Sequence, residues 1–331
     1  APGMSNLETE PAEVDCVDAE TPGGASGAVE VLEPRDVPLG GPRAMDVRRT
    51  LPQRKRSLIG AWCFVDHYGP DDVAATGGMV VPPHPHTGLQ TVSWLFAGEV
   101  DHRDSVGSHA LVRPGELNLM TAGRGIQHSE VSTPRTATLH GAQLWVALPD
   151  VTRNAEPFFE HYVPIPVQYG QATVRVFLGS LIGQSSPATT FTPLVGAQVD
   201  LPAGASVDLP IDPRFEHGVL VDSGELLVQS EAVAVAHLGY LARGQSTLRL
   251  EAGETPVRAV LIGGTPFGER LVMWWNFIGR SHEDIVRFRT EWQEQVIEAG
   301  RTDGRFGAVS DYDGRPLPAP EMPTVRLKPR D

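Results

Sequence analysis

Two residues of this 331-residue chain are cysteine, Cys16 and Cys63, and two are lysine, Lys55 and Lys328. One conceivable thiol pair is no disulfide framework, and the spacing matches no Cys-x-x-Cys metal or redox pair. A reducing cytoplasm is the expected setting. Lysine scarcity, with 25 of the 27 basic residues arginine, is the composition of a GC-rich bacterial genome. No apolar run approaches the roughly 18 residues needed to span a bilayer, and no signal-peptide pattern opens the chain, so no membrane partner is expected. The net charge of −14 repels phosphate backbones and argues against nucleic acid.

That charge is uneven. Residues 1–36 hold nine acids and one base, or −8, which leaves an ordinary −6 for the rest. Ala1-Pro2-Gly3 before Met4 reads as an expression scar, and residues 1–28 as a disordered acidic tail, too poor in apolar surface to offset its ordering entropy. Five bases between Arg48 and Arg56 form a local exception, expected to be a solvated loop or, in a partner-binding protein, a contact surface.

What the chain has in quantity is turn residues. Its 35 glycines and 29 prolines follow no collagen period, and they cut the sequence into short apolar or alternating runs. Among these runs are 91–96, 117–120, 138–147, 173–178, 219–221 and 257–262. That rhythm predicts an all-β fold built of sandwiches or barrels. Proline-rich punctuation at 149–166 marks a domain boundary. One helix is expected late: Ser281 caps it, Ile285, Phe288, Trp292 and Val296 recur at helical spacing, and Gly300 stops it. Trp274-Trp275-Asn276-Phe277 reads as core, and Cys63 as a small buried hydrophobe.

The chemistry concentrates between residues 84 and 130. His84-Pro85-His86 places two imidazoles at i and i+2, which in an extended segment share one face about 6–7 Å apart. Pro85 has no amide to donate, so an edge strand is indicated. His128-Ser129-Glu130 repeats the pattern. Three imidazoles and a carboxylate from two facing strands suit one divalent first-row metal with two octahedral positions left open. Seven of the eleven histidines lie between 67 and 140, which favours a ligand cluster over chance surface pairs. The segment Thr121–Gly125 lacks the Lys-Ser/Thr of a phosphate loop and reads as a tight turn. His102-Arg103-Asp104-Ser105 is too compact to be a catalytic triad and reads as structural, or as support behind the candidate ligands.

These residues resemble the pirin family of the cupin superfamily. The resemblance rests on His84–Val92, on His102–Ser105, on Met120–Glu130, on Val65–Pro70 upstream, and on Trp275–Phe277 with the capped helix downstream. It covers about residues 30–320. It implies a bicupin, two stacked β-barrel (jelly-roll) domains with a late C-terminal helix. The domains would be 29–160, binding metal, and 161–320, without metal, followed by an extended tail at 321–331. It implies His84, His86, His128 and Glu130 as ligands of one metal, Fe(II) first, with Mn, Ni, Cu or Zn as alternatives. Gln90 stands where many relatives have Glu, which would lower the negative charge near the site. Two functions follow from the resemblance. One is a dioxygenase that opens quercetin-like flavonols with release of carbon monoxide, Glu130 acting as catalytic base. The other is an iron-dependent regulator that binds a partner protein without catalysis. A monomer is expected in either case.

Overall fold

The computed structural model describes residues 27–38 and 46–331. The expected disordered tail therefore lies, but for its last two residues, outside the described residues. The first part of the chain contributes twelve strands: β1 (Val29–Leu32), β2 (Arg35–Pro38), β3 (Asp46–Leu51), β4 (Trp62–Asp72), β5 (Val80–His86), β6 (Leu89–Ala97), β7 (Val100–Asp104), β8 (His109–Val112), β9 (Leu117–Thr121), β10 (Ile126–Ser132), β11 (Thr138–Ala147) and β12 (Phe158–Tyr162).

Two sheets enclose the first barrel. The larger runs in the order β12-β9-β6-β11-β4-β3-β2 and the smaller β5-β10-β7-β8. The second barrel pairs a large sheet, centred on Glu216–Ser223, Val257–Gly264 and Leu194–Leu201, with the small sheet of Ser206–Pro210, Thr247–Ala252, Leu226–Val228 and Glu231–Val233. The barrels are interlaced: β1 adds to the second barrel's large sheet, with Val29 opposite Leu241 and Leu32 opposite Leu238.

The two large sheets pack back to back, and alternation explains the joint core. Val65, Val92, Trp94, Leu117, Leu119, Leu144 and Val146 turn outward from the first barrel onto Phe177, Leu178, Leu194, Leu220, Val260 and Ile262 of the second. Trp94 stacks on Phe177 at 4.5 Å, and its indole N–H donates to Gln198 Oε1 at 2.9 Å. Full burial of each such side chain contributes about 1.5–3 kcal/mol. Gln90 belongs to this outward face. Its amide donates to Thr121 Oγ1 and to the Thr189 carbonyl, both at 3.0 Å. It therefore pins the interface rather than tuning the charge of the histidine cluster, contrary to the sequence expectation.

The second barrel is filled by aliphatic side chains such as Val174, Val199, Leu209, Val219, Leu248 and Leu261. The late helix covers one end of the molecule. Ser281 Oγ accepts from the Asp284 N–H at 3.1 Å to cap His282–Thr290, and Glu291–Glu298 continues it with wider, π-helical turns. Ile285, Phe288, Trp292 and Val296 bury against Val272, Trp274, Phe277 and Phe306.

The basic stretch is mostly consumed internally. Arg49 pairs with Asp66, Arg48 bonds to His67 and to the Gly69 carbonyl, and Arg56 lies over the Tyr240 ring. Arg54 and Lys55 stay exposed. A contact surface made from the whole segment is thus not available.

Candidate metal centre

The edge-strand expectation for His84-Pro85-His86 holds: β5 is the outermost strand of the small sheet. It pairs with β10, so His128 lies directly opposite His84 and Ile126 opposite His86. The two histidine motifs thus sit on hydrogen-bonded neighbours, not on strands facing one another. A bulge follows His128, after which Glu130 pairs with Val81 and, on its other side, with His102 of β7. The C-terminal segment braces these strands. Leu317 N–H donates to the Pro83 carbonyl at 2.8 Å, and Gln127 Nε2 donates to the Gly307 carbonyl at 2.7 Å.

His84, His86 and His128 bring one ring nitrogen each to within 4.8 Å of the others. The Nε2 atoms of His86 and His128 are 3.1 Å apart, about the separation of two donors each roughly 2.0–2.1 Å from one ion. All three rings are buried. Hydrogen bonds set the tautomers of His84 and His128. His84 Nδ1–H donates to the Pro82 carbonyl at 2.8 Å, which leaves Nε2 with its lone pair. His102 Nε2–H donates to Asp104 Oδ2 at 2.8 Å, so His102 Nδ1 accepts from His128 Nδ1–H at 3.3 Å. His128 Nε2 is therefore also a free donor to a cation. Asp104 is held in turn by the N–H groups of Val106 and Ser108 on its other oxygen.

Burial pushes these imidazoles toward the neutral state that a metal needs. It lowers His84 to about 4 and takes His86 and His128 well below the ordinary histidine range. Glu130 stands beside the group without joining it. Its Oε1 is 3.8 Å from His128 Nδ1, and its Oε2 is buried with no partner. Desolvation raises its pKa well above the usual carboxylate range. An orphaned buried carboxylate next to three converging imidazole nitrogens has the donor chemistry of a divalent-cation site, and a cation would remove its desolvation penalty.

Sequence reasoning placed His102 and Asp104 in a supporting role, structural or behind the ligands, and the structure couples them directly to His128. The signal was their i, i+2 spacing on a strand, the same spacing that marked the other two pairs. The remaining candidates fall as expected. Trp274, Trp275 and Phe277 are core, Cys63 is buried, and Thr121–Gly125 is a tight turn. In that turn Gly123 has φ +55°, and a Cβ there would meet the Ala155 carbonyl.

A second group of candidate donors lies at the barrel interface, where His67, His140 and Asp222 converge. Its hydrogen bonds argue against a cation. Arg48 donates to His67 Nδ1 at 3.0 Å, which makes His67 Nε2 an N–H. That N–H donates to Asp222 Oδ1 at 2.6 Å, as His140 Nε2 does, while Arg258 Nε donates to Oδ2 at 2.8 Å. This is a satisfied knot joining the barrels.

Two stacked jelly-roll barrels, the first carrying a histidine cluster on its small sheet, define a bicupin. The Pirin family model matches residues 44–146, and the Pirin C-terminal cupin domain matches residues 196–298. A Pseudomonas aeruginosa protein named "Putative quercetin 2,3-dioxygenase" is 42% identical over 290 residues, covering 87% of this chain and 89% of that protein. A "Pirin-like protein" of Caulobacter vibrioides is 33% identical over 288 residues, covering 83% and 94%. The crystal structure of a quercetin 2,3-dioxygenase from Acinetobacter baumannii superposes with a TM-score of 0.83 at 37% identity, covering 90% and 97%. The chain belongs to the pirin family. No helix among the described residues is long and apolar enough to cross a membrane.

Proposed function

We propose that this protein is a metal-dependent dioxygenase acting on flavonols of the quercetin type, with iron(II) as its metal. The observation that carries this reading is the convergence of three buried imidazoles, with tautomers that put no proton on the Nε2 atoms of His84 and His128. The names of the Pseudomonas aeruginosa and Acinetobacter baumannii relatives support it. His84, His86, His128 and Glu130 would hold the ion, and the same donors accept manganese, nickel, copper or zinc. The metal, when bound, supplies Lewis acidity and redox capacity for a chelating hydroxy-ketone and dioxygen.

The chain's own residues do the rest. Asp104 and His102 hold His128 in orientation and tautomer. Glu130, buried beside His128 and ionised once a cation is bound, would accept the proton of the substrate hydroxyl. Trp145, with its ring 5.3 Å from His86 and Phe64 stacked on its face at 4.0 Å, keeps water from that side. The setting is a cytoplasmic monomer.

Oxygen uptake and carbon monoxide release with quercetin test this reading in iron(II)-reconstituted protein. Turnover is expected in the parent and absent in His86→Ala and Glu130→Ala. Absence of turnover in metal-loaded parent protein sinks the dioxygenase reading and leaves the partner-binding alternative.

A further inference from the structure

One row across the five central strands of the first barrel's large sheet is polar. Arg49, Asp66, Gln143, Ser93 and Asn118 lie directly opposite one another on β3, β4, β11, β6 and β9. The flanking residues Val65, Val92, Leu117, Leu119 and Leu144 turn outward into the joint core, so alternation turns this row into the barrel. All five are buried, none more than 5% exposed.

Part of the row satisfies itself. Arg49 donates to both oxygens of Asp66, at 2.6 and 2.9 Å, and Ser93 Oγ donates to Gln143 Oε1 at 2.9 Å. Gln143 Nε2 and both amide atoms of Asn118 have no partner. Trp145, on the same face of β11 about 7 Å nearer the metal cluster, buries an indole N–H that is likewise unpartnered.

The second barrel solves the same packing problem with aliphatic side chains. Buried amides without partners cost free energy that apolar side chains of similar volume would not. A barrel that retains four such atoms beside a metal cluster has donors and an acceptor reserved for something that enters it.

We propose that Asn118 and Gln143 are the substrate-recognition residues of the metal barrel. They take an uncharged molecule carrying several hydroxyl or carbonyl oxygens, with hydrogen bonds to the oxygens remote from the metal-chelating pair. An anionic substrate is disfavoured, because the row's one cation, Arg49, is already neutralised by Asp66. This inference rests on the flavonol reading and adds to it the residues that distinguish a polyhydroxylated flavonol from a bare one.

The test compares iron-loaded full-length protein with Asn118→Leu and Gln143→Met, each close in volume and lacking the amide. Two probes are used: quercetin, and 3-hydroxyflavone, which keeps the chelating hydroxy-ketone but lacks the other hydroxyls. Quercetin KM should rise about tenfold or more in each variant, with kcat within about threefold. The parent's preference for quercetin over 3-hydroxyflavone should collapse toward unity. In metal-free protein Asn118→Leu should melt at or above the parent temperature, since it removes an orphaned amide, whereas Gln143→Met also takes the acceptor from Ser93 Oγ and should melt no more than about a degree lower. Variants that melt several degrees lower with KM unchanged would overturn the inference by making the row structural. An unchanged quercetin preference in well-folded variants overturns it too, with the dioxygenase reading intact. Failure of the parent to turn over either probe overturns both.

Discussion

His86 and His128 hold their Nε2 atoms 3.1 Å apart in the buried interior of the first barrel. Behind His128, the chain His128–His102–Asp104 fixes which nitrogen carries the proton. Asp104→Asn disturbs that chain, because an amide nitrogen can donate to His102 and flip the tautomers down the line. We expect metal affinity to fall by about 10–100-fold with the fold intact. Competition with a chromophoric chelator measures it, and unchanged affinity would show that His128 needs no support.

Glu130 destabilises the metal-free protein at neutral pH. Burial raises its folded pKa well above the unfolded value. Above the ordinary carboxylate range the native state thus retains a proton that the unfolded chain has lost, and stability falls as pH rises. Glu130→Gln removes that penalty. The metal-free variant should melt about 1–2 °C higher than the parent at pH 7.5, the shift that ~1 kcal/mol produces at this size, while turnover is lost. Melting below the parent would contradict the assignment of an uncompensated carboxylate.

Acid acts in the opposite sense through the buried histidines. Burial lowers both His84 and His217 to about 4. Between about pH 6.5 and 4 the unfolded chain binds protons that the native state refuses, so stability falls as pH falls. Each should cost about 2 kcal/mol at pH 5 relative to pH 7.5. Denaturant melts of the parent and His217→Leu separate the two, because bound metal changes the His84 contribution and leaves that of His217.

The interface knot should matter for stability and not for metal. Burial alone would raise the Asp222 pKa, yet hydrogen bonds from His140 and His67 hold it well below the ordinary carboxylate range. Asp222→Ala leaves two imidazoles and Arg258 without their acceptor. A loss of about 3 kcal/mol is expected, read as a fall of roughly 4–5 °C in Tm.

Much of this was legible in the sequence because it depends on local spacing. The i, i+2 pairs at 84/86 and 128/130, the turn-punctuated β rhythm and the Ser281 cap each follow from periodicity within a few residues. Features that depend on register across the fold were not legible. Asn118, Ser93, Gln143 and Asp66 become one row only once β9, β6, β11 and β4 are aligned. Likewise, Asp222 lies 155 residues from His67, and nothing in the local pattern of Arg48 and Arg49 distinguishes them from the exposed bases that follow. Gln90 was misread because its side of β6 is decided by packing against the second barrel.

The central claim is that one of the two histidine clusters holds a metal and the other does not. Elemental analysis of the purified chain tests it directly, comparing the parent with His86→Ala and Asp222→Asn. The account predicts about one equivalent of first-row metal per chain in the parent and in Asp222→Asn, and close to none in His86→Ala. Metal retained by His86→Ala, or lost with Asp222→Asn while the chain remains folded, would contradict it.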